Sequence, residues 1–127
     1  MKKIYNTNKA PKPLGPYNQA IMANNMLFTS GQIAINPKTN NLVLNNIIDE
    51  TKQVMENLKA VLKSANLDFS NVVKTSIFIS SMDDFNEINS VYGSYFNEEN
   101  APARETVQVA KLPKGVNIEI SMIAIDE

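Results

Sequence analysis

The chain of 127 residues contains no cysteine and no histidine, and a single arginine stands beside eleven lysines. Without cysteine there is no disulfide framework, no thiol nucleophile and no thiolate metal site. Without histidine there is no Ser-His or Cys-His relay. Carboxylates are then the only strong metal ligands left, so neither zinc nor non-haem iron is expected. Any proton transfer has to use Glu, Asp, Tyr, Lys or water. The formal net charge is −1, with no run of like charge, so nucleic-acid binding by phosphate neutralisation is not expected. No apolar run is long enough to span a bilayer. Lys2-Lys3 leads into Ile-Tyr-Asn-Thr-Asn rather than the apolar stretch of a secretory signal. A cytoplasmic protein with no membrane partner is the expectation.

The remaining composition, 43% hydrophobic and 20% charged, is that of one ordinary globular domain over residues 1–127. Residues 1–16 are irregular, broken by Pro11, Pro13 and Gly15-Pro16, with room for a short strand at Ile4–Asn6. Strands are expected at Tyr17–Ala23 and Met26–Ile35, joined by Asn24-Asn25, which tolerates the left-handed backbone of a tight hairpin. A brief strand is placed at Leu42–Leu44. Apolar residues recur at three and four from Ile47 to Ala65, a helix of about five turns with Asn46 at its start and Asn66 at its end. Val72–Ser80 reads as a buried strand. Ser81-Met82-Asp83-Asp84 resembles a capping box before a second helix carrying Phe85, Ile88, Tyr92 and Tyr95/Phe96. Strands at Ala103–Ala110 and Asn117–Ile125 flank a Pro/Gly turn. The order β-β-α-β-α-β-β makes an α+β two-layer domain, a mixed sheet with two helices on one face. Its other face carries apolar residues that need a cover, which an oligomer would provide.

The last two strands hold the candidate chemistry. Arg104 opens one of them, and its planar guanidinium fork matches a carboxylate or phosphate in a way an ammonium does not. Glu119 lies between Ile118 and Ile120, where desolvation raises a carboxyl pKa and fits it for acid or base work. Gly31 interrupts a strand, which marks either a bulge or a place where a ligand approaches the backbone. Each residue also has a plain reading: a surface ion pair for Arg104, a solvated face for Glu119, a half-buried core ring for Tyr17. Asp83 and Asp84 meet a helix dipole and receive no catalytic role.

Pro102-Ala103-Arg104, Val109-Ala110-Lys111-Leu112-Pro113 and Ile118-Glu119-Ile120 resemble the C-terminal motif of the RidA (YjgF/UK-type) family. Gly15-Pro16-Tyr17, Gln19-Ala20, Thr29-Ser30-Gly31-Gln32-Ile33 and Asn57 to Leu62 extend the likeness along the chain. The resemblance implies a chorismate-mutase-like homotrimer with clefts between subunits. It also implies a cofactor-independent 2-iminobutanoate/2-iminopropanoate deaminase, which hydrolyses 2-imino acids released by pyridoxal-phosphate-dependent dehydratases to 2-oxo acids and ammonia. On the same basis Arg104 clamps the substrate carboxylate and Glu119 positions the attacking water. Tyr17, Ser30, Gly31, Asn89 and Thr106 then line the cleft. Two positions depart from the family's common Pro-Ala-Arg-Ser-Cys: Glu105-Thr106 stands for Ser-Cys. Strand alternation turns Glu105 away from Arg104. The competing reading is a non-catalytic trimer that senses 2-oxo acids or regulates a partner enzyme, and a ribonuclease role is the weakest option.

Overall fold

A computed structural model describes all 127 residues. Six strands form one mixed sheet: β1 (Lys3–Tyr5), β2 (Ala20–Ala23), β3 (Met26–Thr29), β4 (Val72–Ile79), β5 (Ala103–Gln108) and β6 (Ile118–Ile125). Two helices, α1 (Ile47–Ser64) and α2 (Phe85–Gly93), complete the α+β architecture. The sheet runs β1-β2-β3-β6-β4-β5, antiparallel throughout except for the parallel β4–β5 pair. Chain order is thus β-β-β-α-β-α-β-β. The strand allowed for at Ile4–Asn6 is real, one residue earlier, and becomes the first edge.

Local chemistry accounts for the elements. Asn24 and Asn25 both take positive φ, 50° and 62°, as a twist-matched two-residue hairpin turn requires. Asn46 Oδ1 accepts from the Asp49 N–H at 2.8 Å and starts α1. At the other end Asn66 is left-handed, φ 60°. Its N–H reaches Lys63 O at 2.9 Å and the Leu67 N–H reaches Leu62 O at 3.0 Å, a Schellman stop. The apolar stripe of α1 (Val54, Met55, Leu58, Val61, Leu62) is fully buried, facing Leu27, Ile77, Ile79, Ile118, Ile120 and Ala124 of the sheet. Each such side chain contributes about 1.5–3 kcal/mol relative to exposure.

Several boundaries differ from expectation. Strand pairing begins at Ala20, not Tyr17, because the chain bends at residues 14–16 and the Tyr17 N–H turns back to Gly15 O at 2.8 Å instead of joining a ladder. The second hairpin strand stops at Thr29, and beyond it Gln32 forms an isolated bridge to Ile120. Leu42 makes a single bridge to Ile35 rather than a strand. Ser81 caps only a one-turn 3₁₀ helix, and α2 starts at Phe85 with no side-chain cap. α2 ends at Gly93, short of Tyr95 and Phe96. Those two rings pack edge-on against Phe69 at 5.4 and 5.3 Å.

The open face of the sheet is apolar along β1 to β3 and the end of β6, and polar toward β5, where Lys74, Ser76, Glu105 and Ser121 lie. Ile4, Ile21, Phe28 and Ile123 stand in one cross-strand row over four strands. Ile4, Phe28, Val73 and Val107 are each more than 40% exposed. A row of this kind is larger than the scattered surface residues of a monomer.

Candidate functional site

Register decides which side chains meet. Arg104 pairs with Thr75 and Glu119 with Phe78 on the shared neighbour β4. Thr75 belongs to the buried, helix-facing set of β4, whereas Phe78 belongs to the other. Paired residues share a face, so Arg104 and Glu119 project from opposite faces of one sheet. β5 and β6 are also not partners, since β4 lies between them. The seven residues expected at one site therefore fall into two groups.

The first group surrounds Glu119. A cleft of about 290 Å³ is lined by Tyr17, Ser30, Gly31 and Glu119, and by Lys12, Leu14, Gln19 and Pro113 among others. Its floor is a break in strand pairing. Phe28 faces Ile123, and Gln32 exchanges backbone hydrogen bonds with Ile120 at 2.8 and 3.1 Å. Three residues of one strand thus lie opposite two of the other, which is a bulge at Ser30-Gly31. Thr29 Oγ1 accepts from the Met122 N–H at 2.9 Å and fills part of the gap. Burial raises the Glu119 carboxyl pKa above its ordinary value.

The loop before β2 forms the rim. Tyr17 Oη accepts from the Leu14 N–H at 3.0 Å, which holds the exposed ring against the loop. The Ser30 hydroxyl donates to Asn18 O at 2.6 Å, and the Ser30 N–H to Gln19 O at 2.9 Å. Gln19, 2% exposed, is the residue whose role sequence reasoning missed. Its Nε2 donates to Thr7 O at 3.0 Å and Pro11 O at 2.8 Å, while its Oε1 accepts from the Thr7 N–H at 2.7 Å. One amide thereby fixes the irregular segment that walls the cleft. The only available signal was a polar residue placed where a strand turns buried.

The second group lies around Arg104 on edge strand β5. Arg104 donates to Asn89 Oδ1 at 2.6 Å, and its guanidinium carbon sits 5.2 Å from the Tyr92 ring centre and 5.8 Å from that of Phe85. The Tyr92 hydroxyl donates to Thr75 Oγ1 at 3.0 Å, and desolvation raises its pKa. The guanidinium is thus held in position with donors to spare. Glu105 points the other way, to Lys74 at 2.7 Å and to the Ser76 hydroxyl, and its charge leaves Arg104 unopposed. The hydrogen bonds to Lys74 and then Ser76 hold its carboxyl below the usual range. The Val109 N–H bonds Ile79 O. Alternation back along the strand turns the N–H of Thr106 outward from the sheet edge. The Thr106 hydroxyl is buried and has no hydrogen-bond partner.

Comparison with known proteins agrees with this architecture. A family model described as Endoribonuclease L-PSP matches residues 7–126. A RutC family protein of Synechocystis is 51% identical over 97% of this chain and 95% of its own length. The human 2-iminobutanoate/2-iminopropanoate deaminase is 42% identical over 98% of this chain and 90% of its own. The crystal structure of the Escherichia coli YjgF gene product superposes with a TM-score of 0.92 at 41% identity, covering 98% of this chain and 99% of that one. With these matches along nearly its whole length, the chain belongs to the RidA (YjgF) family.

Proposed function

We propose that the chain is a cytoplasmic 2-iminobutanoate/2-iminopropanoate deaminase, working as a homotrimer without metal or cofactor on small 2-imino acids. The observation that carries this is the pair formed by half-buried Glu119 in its cleft and Arg104 held ready on the opposite face at an open sheet edge. One chain does not bring the two together. A second copy packed on the apolar open face, with its β5 edge beside the first copy's cleft, does. The unpartnered Thr106 hydroxyl and the outward Thr106 N–H then also face the ligand. The name of the human relative supports the same substrate class.

The chemistry needs little more. Arg104 holds the substrate carboxylate through a fork of two N–H donors. The protonated imine carbon is electrophilic, and a water held by Glu119 adds to it as Glu119 takes the proton. That proton passes to the amine, and the C–N bond breaks as the hydroxyl oxygen forms the C=O and gives its proton to Glu119. The 2-oxo acid and ammonia then leave, the ammonia carrying the proton away as ammonium and restoring the carboxylate. General-base action by one carboxylate contributes about 10²–10⁴-fold, and its raised pKa makes it a stronger base than an ordinary carboxylate. Freshly generated 2-iminopropanoate and 2-iminobutanoate are the test substrates. Ammonia release should be accelerated by the native chain and lost in Arg104→Ala, with Glu119→Ala reduced at least 10²-fold. If the native chain is inactive but 2-oxobutanoate raises its melting temperature in an Arg104-dependent way, it is a sensor of 2-oxo acids instead.

A further inference from the structure

The largest concavity on the chain is not the Glu119 cleft. A groove of about 580 Å³ runs along the outer flank of α1, walled by the segment around Lys9 and by the turn that carries Lys38. It has no lining residue in common with the Glu119 cleft. Lys9, Lys38, Lys59 and Lys63 all border it, four of the eleven lysines of a chain whose net charge is −1. None of the four is in an ion pair, the one ion pair of the chain being Lys74–Glu105. The single carboxylate on the groove, Glu56, is engaged by the Tyr95 hydroxyl at 2.8 Å on the side of α2. Lys59 and Lys63 stand at the i,i+4 spacing at which like charges repel.

The walls are fixed. Asn57, buried at the base of the groove, donates from Nδ2 to Ile33 O at 3.1 Å and Ile35 O at 3.0 Å. This ties the chain leading into the Lys38 turn to α1. The turn is closed by Asn36 N–H to Asn41 O at 2.8 Å and Asn40 N–H to Asn36 O at 2.7 Å. An ammonium group offers three donors and a compact charge suited to phosphate oxygens. No aromatic ring lines the groove, so nothing is present to stack a nucleobase.

We infer that this groove binds a small polyanion bearing two or more linked phosphate groups, independently of whatever reaction occurs at Glu119. Titration calorimetry of the full chain with sodium tripolyphosphate tests it, with orthophosphate as a comparison. One saturable site per chain is expected, tighter for tripolyphosphate and weakened about tenfold between ~20 and ~200 mM salt, as screening of exposed charges requires. Lys59→Ala/Lys63→Ala, neutral or favourable for helix formation, should raise the Kd at least tenfold, whereas Lys52→Ala on the same helix should not change it. Amide shifts on binding should cluster at residues 36–38 and 53–64. No saturable binding, or binding indifferent to Lys59 and Lys63, overturns the inference. So does a single-stranded RNA oligonucleotide that binds more tightly than tripolyphosphate through the same two lysines, because the groove would then follow a nucleic-acid backbone.

Discussion

A β-carbon built on residue 31 would fall on Glu119 Oε2 and lie 2.7 Å from Cδ. Gly31 does not have a left-handed backbone, and Gly115 is the only glycine that does. The requirement at position 31 is therefore space, not conformational freedom. Glycine there lets the carboxylate lie against the bulge. Gly31→Ala has to push Glu119 out of place or open the bulge, at a cost of about 1–3 kcal/mol for overpacking. Imine hydrolysis should fall at least 10²-fold, since a displacement near 1 Å costs that much. Urea unfolding and initial rates measure the two effects. An unaltered rate in Gly31→Ala would remove Glu119 from the chemistry.

Glu119 also predicts a pH dependence of stability. Burial raises its pKa above the ordinary 4.5, so the folded chain holds this proton more tightly than the unfolded chain. The group then favours folding at low pH, and that contribution is lost as pH rises through its folded pKa. At pH 7 the charged form is a liability that glutamine lacks. Glu119→Gln should melt roughly 1–3 °C above the native chain at pH 7, the gain being small because the group is half exposed and screened. The two melting curves should converge below about pH 4.5. Convergence at high pH instead would contradict the sign.

Complementation tests whether the site is shared between subunits. Arg104→Ala and Glu119→Gln are each expected to be inactive alone. If a site takes its arginine from one chain and its glutamate from the next around a ring, co-refolding equal amounts gives about a quarter of native activity, the chance that both contributors are intact. Activity that stays at background would mean that one chain supplies both groups, against their opposite facing on the sheet.

A buried carboxylate secures the start of β6. Glu50 on α1, fully buried, accepts from the Asn117 N–H at 2.7 Å and from Asn117 Nδ2 at 2.8 Å. Asn117 precedes Glu119 by two residues. Glu50→Ala leaves both donors of half-buried Asn117 without this partner and is expected to cost about 1–3 kcal/mol. Glu50→Gln keeps one carbonyl acceptor and should lose about half as much. Denaturant midpoints of the two variants, with equal m-values, decide this.

Linear order and residue type were enough to place both helices, because the α1 stripe repeats at the helical period and Asn46 and Asn66 stop it by local hydrogen bonds. They were also enough for the Asn24-Asn25 hairpin, for the β-branched run of β4, and for naming Arg104 and Glu119, which stand out through rarity and through family likeness. The apolar parity of β6 likewise revealed that one face of the sheet wants a cover. Pairing was another matter. Ala103–Gln108 and Ile118–Ile125 look like a hairpin along the chain, but β4 is more apolar and takes the place between them, leaving polar β5 at the edge. Which face each side chain occupies follows from that insertion, and with it the separation of Arg104 from Glu119. The role of Gln19 was hidden for the same reason, since its four backbone partners come from a segment without periodicity. The emptiness required at Gly31 depends on a bulge that exists only once β3 and β6 are aligned.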